Sequence, residues 1–205
     1  MTESIIKQFE TIPTTCVSDA LNGMNNLHAS IKPLQEKYTL AGRAFTVKIP
    51  VGDNLAVLKA IRNAKPGDVL VIDAKGDTYR AIAGDFILGM AQSLGIKGIV
   101  TDGVVRDIQG IKELDFPVFC KGTTVAASGK AGVGELNEPI SCGGVSINPG
   151  DIIVGDADGV VVIPNEIEEE TLAKAIRMLE QDEVREKEVS GDIDAIHNYI
   201  DNMIK

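Results

Sequence analysis

The stretch between residues 68 and 120 alternates short apolar runs with amphipathic segments, and this pattern restricts the fold more than any other feature. "DVLVID" and "GIVTD" are continuous apolar runs typical of buried strands, and "DFILGMAQSLG" between them has apolar residues at helical spacing. A second helical segment, "VVRDIQGIKEL", leads to a third strand-like run, "FPVFC". Strand–helix–strand repeats imply right-handed crossovers between parallel strands. The region therefore predicts a parallel sheet covered by helices.

Helical segments flank this region at both ends of the chain. From Asn165 onward, "NEIEEETLAKAIRMLEQDEVREKEV" begins with a capping-box pattern in which Glu168 stands at the third helical position. A last segment, "IDAIHNYIDNMIK", has its isoleucines on one helical face. With no interdomain linker between these parts, residues 1–205 are predicted to form a single β-rich α/β domain with helical N- and C-termini. Residues 164–205 are its C-terminal helical extension.

One motif occurs twice, 83 residues apart. "KPGDVLVIDAKGD" at 65–77 and "NPGDIIVGDADG" at 148–159 share Pro-Gly-Asp, four mostly apolar residues, and then Asp-Ala. The two copies predict equivalent turn-and-strand corners of one sheet or barrel-like core. The alternative is coincidence, because Pro-Gly-Asp is a common turn before a strand.

The charge and the apolar content exclude several functional classes. A net charge of −10 provides no basic surface for nucleic acid or for an anionic membrane. The apolar runs fall short of a membrane span, and the N-terminus lacks the pattern of a signal peptide. Three widely spaced cysteines without a CxxC pair predict buried fillers in a reducing compartment. We therefore expect a cytoplasmic protein whose partner is a small molecule.

Charged residues stand at the starts of two successive helical segments. Asp85 follows Gly84 at the first, and Arg106 and Asp107 stand at the second. Ligands of α/β folds bind where strands end and helices begin, so these residues can face one pocket. The backbone N–H groups of residues 84–87 could hold a carboxylate. Arg106 could bind a carboxylate or an enolate through two parallel hydrogen bonds, and Asp107 could ligate a hard divalent cation.

Each of these residues also has a purely structural alternative. Asp85 could cap its helix, Asp107 could be a surface acid favoured by the helix dipole, and Arg106 could be solvated or paired with an acid. A different chemistry, a Schiff base on Lys48 or Lys75, is open too, although lysines beside apolar strands commonly extend their amines to solvent.

The combination of Asp85, twenty intervening residues and then Arg106-Asp107 resembles the D-x20-R-D signature of class II 4-hydroxy-4-methyl-2-oxoglutarate aldolases. These share a fold with the regulator of ribonuclease E activity A. The resemblance extends along most of the chain, through "TTCVSDAL", "AGRAFTV", "GIVTDGVVRD" and "GDIIVGDADGVVVIP". It implies a fold akin to the swivelling phosphohistidine domain, with homotrimers or homohexamers whose active sites lie between subunits.

The same resemblance implies roles for individual residues. In the family, the aspartate at the position of Asp107 binds a divalent metal, usually Mg²⁺, with Mn²⁺ as the other candidate. The arginine at the position of Arg106 binds the pyruvyl group and its enolate. Gly84, Asp85, Phe86 and Ile87 match the segment whose backbone holds the pyruvate carboxylate. Relatives have Leu-Leu or Leu-Met where this sequence has Phe86-Ile87. This difference concerns the part of the pocket that holds the acceptor half of the substrate. A neighbouring subunit's C-terminal helix contributes an acid, for which Glu183 and Glu186 are the candidates.

The expected activity is that of a lyase. Cleavage of 4-hydroxy-4-methyl-2-oxoglutarate or a related 4-hydroxy-2-oxoacid would give pyruvate through a metal-stabilised enolate, with Asp85 orienting a water that moves the proton. Oxaloacetate decarboxylation through the same enolate is expected as a side activity. One alternative is a non-enzymatic regulator of a ribonuclease, although such relatives lack the aspartate at the position of Asp107. Another is a methyltransferase, which the missing glycine-rich nucleotide loop disfavours.

Overall fold

A central sheet with helices packed on it forms the body of the protein. The computed structural model describes residues 2–205, with side chains from residue 5 onward. The helices are α1 (Thr2–Phe9), α2 (Thr14–Ala20), α3 (Leu55–Asn63), α4 (Asp85–Ser93), α5 (Ile108–Leu114), α6 (Glu168–Val189) and α7 (Ile193–Met203). The strands are β1 (Lys32–Pro33), β2 (Leu40–Lys48), β3 (Asp68–Asp73), β4 (Gly98–Thr101), β5 (Val118–Cys120), β6 (Glu135–Leu136), β7 (Ile140–Cys142), β8 (Val145–Ile147), β9 (Ile152–Asp156) and β10 (Gly159–Ile163).

The main sheet is mixed, and its strands lie in the order β1, β5, β4, β3, β2, β9, β10, with β6 paired to β2. Strands β3 to β5 are parallel, as the alternating pattern predicted, and β2 is parallel to β3. Strand β9 is antiparallel to β2, and β10 is antiparallel to β9. Strands β7 and β8 form a separate hairpin. The two edges of the sheet approach each other where Lys32 Nζ donates a hydrogen bond to Asp158 O at 2.5 Å. The sheet is therefore nearly closed.

Apolar side chains bury the sheet on both faces. Helices α3, α4 and α5 pack on one face through small and branched residues, which include Ala56, Ala60, Leu88, Ala91 and Ile111. Helices α1, α2 and α6 pack against the β9–β10 side. The three cysteines are free and buried, as predicted. None of the helices in residues 2–205 has both the length and the apolar composition of a membrane span.

The two copies of the Pro-Gly-Asp motif form the same turn. In the first, the Lys65 N–H donates to Asp68 Oδ2 at 2.8 Å, and in the second the Asn148 N–H donates to Asp151 Oδ2 at 2.8 Å. The strands that follow, β3 and β9, flank β2 on its two sides. They run in opposite directions, because β3 is parallel to β2 and β9 is antiparallel to it. The two copies of the motif therefore have the same turn geometry, and they lie on opposite sides of β2.

One local prediction, the capping box at Asn165, was wrong. A 3₁₀ turn over Asn165–Ile167 precedes α6, and Asn165 makes no side-chain cap. The Glu168 carboxylate instead forms a two-pronged ion pair with the half-buried guanidinium of Arg43. A charge-assisted pair of this geometry is stronger than a helix cap, so it orients Glu168 toward the sheet and fixes the start of the C-terminal extension.

Candidate active site

Two chain connections meet at one edge of the parallel sheet. The connection from β3 to α4 covers residues 74–84, and the connection from β4 to α5 covers residues 102–107. They are joined by hydrogen bonds from Ile82 N to Val104 O at 2.9 Å and from Arg106 N to Ala83 O at 3.0 Å. This pairing brings the start of α4 beside the residues that precede α5.

Gly84 lies directly against Arg106 and Asp107. A Cβ atom at position 84 would collide with Oδ2 of Asp107 and would lie 3.3 Å from Cγ of Arg106. The backbone of Gly84, with φ −129° and ψ −177°, is one that other residues also adopt. A side chain at this position would therefore displace the Asp107 carboxylate, although its dihedral angles suit other residues.

Asp107 combines a left-handed backbone with an exposed side chain that makes no helix cap. Its backbone is left-handed, with φ 59° and ψ 43°. Although Asp107 is the N-cap of α5, its side chain makes no cap hydrogen bond. A non-glycine residue in this region costs about 1 kcal/mol or more, and such strain concentrates at functional sites. The carboxylate is 44% exposed and lies 3.3 Å from Nε of Arg106. It is therefore open to a ligand.

The residues around Asp107 fit a magnesium-like ion. Among the described residues there is no group of three or more His, Cys, Asp or Glu side chains that could hold a metal. A hard divalent cation needs fewer protein ligands, because Mg²⁺ is commonly bound through one or two carboxylates and completes its shell with water and substrate oxygens. Oδ2 of Asp107 lies where a side chain at position 84 would begin, so the carboxylate lies against the main chain of Gly84. One carboxylate that is 44% exposed suits that ion.

The start of α4 presents backbone donors. Gly84 is the N-cap and makes no side-chain cap. The Phe86 N–H donates to Oδ1 of Asp85 at 2.6 Å. In the described part of the chain, the N–H groups of Asp85 and Ile87 have no acceptor. Unsatisfied N–H groups at a helix start attract anions, so two of the expected donors remain available and that of Phe86 is already occupied.

The side chain of Asp85 is directed toward α5. A Cβ atom on Gly110 would collide with Oδ2 of Asp85, so the carboxylate packs against that glycine. Asp85 also borders an open groove of about 1180 Å³ between α3, α4 and α5. Phe86, 77% exposed, lies at the mouth of this groove. Its other walls include Leu58, Ile61, Arg62, Met90, Leu94, Glu113 and Leu114.

Two further observations complete the site. The lysines considered for a Schiff base are both paired with acids, Lys48 with Glu135 at 3.1 Å and Lys75 with Asp73. Sequence reasoning did not single out Asp102, whose buried carboxylate joins the two connections. The available signal was an acid placed directly after an apolar strand, where a charged group needs partners to be buried.

Two comparisons concern the amino-acid sequence. The model of the RraA-like family, described as Aldolase/RraA, matches residues 14–162. A protein of Halalkalibacterium halodurans named "Putative 4-hydroxy-4-methyl-2-oxoglutarate aldolase" is 60% identical over 199 residues, which are 97% of this chain and 95% of that protein. Similarity of this extent covers both connections of the site.

Solved structures show the same architecture. A crystal structure from Streptomyces coelicolor, described as an unusual member of the RNase ES inhibitor RraA protein family, matches with a TM-score of 0.84 at 25% identity and covers 91% of this chain and 98% of that chain. The RNA-processing inhibitor RraA from a Thermus species matches with a TM-score of 0.68 at 30% identity, covering 74% and 92% of the two chains.

Proposed function

This chain belongs to the RraA-like family, described as Aldolase/RraA, and from that premise we propose that it is a divalent-metal-dependent aldolase. Its substrate would be 4-hydroxy-4-methyl-2-oxoglutarate or a related 4-hydroxy-2-oxoacid, and its product pyruvate. The name of the 60% identical relative supports the assignment to the lyases. The observation that carries the proposal is the convergence of Gly84, Arg106 and Asp107 at the free start of α4.

The pyruvyl half of the substrate would bind between the two connections. The N–H groups of Asp85 and Ile87 would donate to its carboxylate, since helix starts favour anions. The Arg106 guanidinium, 42% exposed, would donate two parallel hydrogen bonds to the oxo-acid. Gly84 allows the Asp107 carboxylate to lie close to the main chain beside these donors.

The residues that fit the metal would act beside this subsite. Asp107 would hold the ion, which supplies a Lewis acid when bound. As the C3–C4 bond breaks, negative charge develops on the former keto oxygen, and Arg106 would stabilise it. Asp85 would hold a water that moves a proton between the substrate and solvent. Loss of carbon dioxide from oxaloacetate gives the same enolate, so we expect decarboxylation as a second activity.

Assembly into homotrimers or homohexamers is part of the proposal. Several large apolar side chains are exposed, among them Phe86 and Leu94 at 77% and 51%, and these two line one groove. Exposed apolar patches mark interaction surfaces. A second copy of this chain would cover them. Light scattering after size exclusion would test this, since a monomer at micromolar concentration contradicts it.

A coupled pyruvate-release assay tests the activity. The protein is stripped with a chelator and supplied with 4-hydroxy-4-methyl-2-oxoglutarate or oxaloacetate, with and without Mg²⁺ or Mn²⁺. We expect pyruvate release only with metal. Turnover that survives thorough chelation contradicts the metal dependence, and the absence of pyruvate from both substrates in the presence of metal contradicts the aldolase.

A second candidate function is regulation of a ribonuclease through the protein surface. The Streptomyces and Thermus structures, which are described as ribonuclease or RNA-processing inhibitors, favour it. Inhibition of RNA cleavage by a purified ribonuclease E, measured with wild-type protein and with Asp107→Asn, distinguishes the two functions. A regulator acting through its surface would inhibit equally in both forms, whereas the aldolase activity would depend on Asp107.

A further inference from the structure

Asp102 is a buried carboxylate that bridges the two connections of the site. It follows β4 directly and is only 8% exposed. Its Oδ1 accepts the N–H of Ala74 at 2.7 Å, and its Oδ2 accepts the N–H of Gly76 at 2.9 Å. Both donors belong to the connection that leads from β3 to α4. One side chain therefore joins the beginnings of two segments that are far apart in sequence.

The bridge is the first of several links between these segments. Beyond it, Ile82 N donates to Val104 O at 2.9 Å, and Arg106 N donates to Ala83 O at 3.0 Å. The last link is the close approach of Gly84 to Asp107. The two connections thus run side by side from Asp102 to the site, and their relative position at the site depends on how they are held at the start.

The chemistry of the bridge requires a carboxylate. Burial raises the pKa of Asp102, and the nearby Asp73 raises it further, while the N–H donors of Ala74 and Gly76 lower it. A buried charge is costly, and asparagine would avoid that cost. Asparagine has only one acceptor oxygen, however, and its NH₂ group would face the second N–H donor. Two acceptors are needed to hold Ala74 and Gly76 together.

Resting on the proposed function, we infer that Asp102 is a positioning residue for the oxo-acid site. Its carboxylate sets the relative position of two groups of ligand contacts. One group is the free N–H donors at the start of α4, and the other is Arg106 with Asp107. A ligand that uses both groups at once depends on Asp102, whereas a ligand that uses one group does not.

The test compares metal binding with the binding of oxalate, a small dianion that can bridge both groups. The variant Asp102→Asn keeps the size of the side chain and removes one acceptor. Because Asp107 itself is unchanged, we expect the Kd of Mn²⁺ alone to change by less than about threefold. The Kd of oxalate for the Mn²⁺-loaded protein should rise about tenfold or more, since small misplacements of binding groups are expensive. Titration calorimetry measures both constants.

Asp151 offers a matched control. It is 2% exposed, its two oxygens accept the N–H groups of Asn148 and Asn165, and burial raises its pKa as well. Asp151→Asn should lower stability in the same manner and leave oxalate binding unchanged. Equal weakening of oxalate binding in both variants, or wild-type binding in Asp102→Asn, overturns the positioning role.

A second variant keeps the test decisive if Asp102→Asn does not fold. The Thr101 hydroxyl donates to Ile72 O at 3.0 Å and accepts the N–H of Gly103 at 3.0 Å. Thr101→Val removes both bonds beside Asp102 and should weaken oxalate binding about two- to fivefold. Unchanged oxalate binding in this variant contradicts the inference. If wild-type protein binds oxalate equally with and without Mn²⁺, the proposed function fails, whatever the variants do.

Discussion

The carboxylate of Asp107 occupies the space in which a side chain at Gly84 would begin. These residues are the N-caps of two different helices, and their contact holds the two connections together at the candidate site. Asp107 thus has a steric contact with Gly84 and an electrostatic contact with Arg106, whose Nε lies 3.3 Å from its carboxylate. Substitution of Gly84 should therefore displace the carboxylate, whereas substitution of Asp107 should remove its charge.

Gly84→Ala should damage the site without unfolding the protein. The new Cβ would displace the Asp107 carboxylate, and misplacement by about 1 Å can cost about 100-fold in rate. The control is Gly89→Ala on the same helix, where the Cβ would meet Leu114 at 3.7 Å, an ordinary contact. That control should keep its activity and gain about 0.5–1 kcal/mol in stability. Pyruvate-release kinetics and thermal unfolding measure both, and full activity of Gly84→Ala contradicts the steric argument.

Asp107→Asn should weaken metal binding strongly and keep the fold. Asparagine tolerates the left-handed backbone, so the substitution changes the charge with little change in strain. A loss of about 2–3 kcal/mol for a charged partner corresponds to a rise of about 30–160-fold in the Kd of Mn²⁺. Asp115 at the other end of α5 is also left-handed, with φ 51°. Asp115→Asn is thus the matched control and should bind Mn²⁺ normally; equal affinity in both variants contradicts the assignment.

Arg106→Lys should lower kcat/KM about 100-fold, a loss typical of removing one donor to a developing oxyanion. The compact ammonium retains the charge and loses the planar pair of donors. Arg177→Lys, on an exposed position of α6, should behave as wild type. Oxaloacetate decarboxylation provides the assay, and an Arg106→Lys enzyme within threefold of wild type would rule out bidentate binding.

Asp53 should make stability depend on acid pH. Its oxygens accept the N–H groups of Leu55, Ala131 and Gly132, and the bond from Leu55 contributes most to lowering its pKa below the ordinary value of 3.8. A lowered pKa stabilises the fold above about pH 4, and this stabilisation is lost as the pH falls through the folded-state value.

The variant Asp53→Asn should therefore be about 1–3 kcal/mol less stable than wild type at pH 7. The difference should narrow below about pH 4. Urea unfolding at pH 7 and pH 3 measures it, with Asp201→Asn on exposed α7 as the control. A difference that stays constant over this range contradicts the role of the ionised Asp53.

Local patterns predicted much of the fold. The parallel arrangement of β3 to β5 and the helices between them follow from apolar runs and helical spacing, because those depend on residues close in sequence. The Glu168 side chain escaped this reasoning, since its strongest partner, Arg43, lies 125 residues away. The chemical roles of Asp85, Arg106 and Asp107 stay predictions.

The sequence by itself determined the family, the α/β class and the prediction that two helix starts face one pocket, because short-range periodicity and motif spacing are written along the chain. Only the tertiary structure decided that Asp107 has a left-handed backbone and lies against Gly84. It also decided that the Asp85 carboxylate accepts the Phe86 N–H and that Asp102 bridges the two connections. The physical reason is that close packing and buried hydrogen bonds depend on which distant segments become neighbours, and no local pattern contains that information.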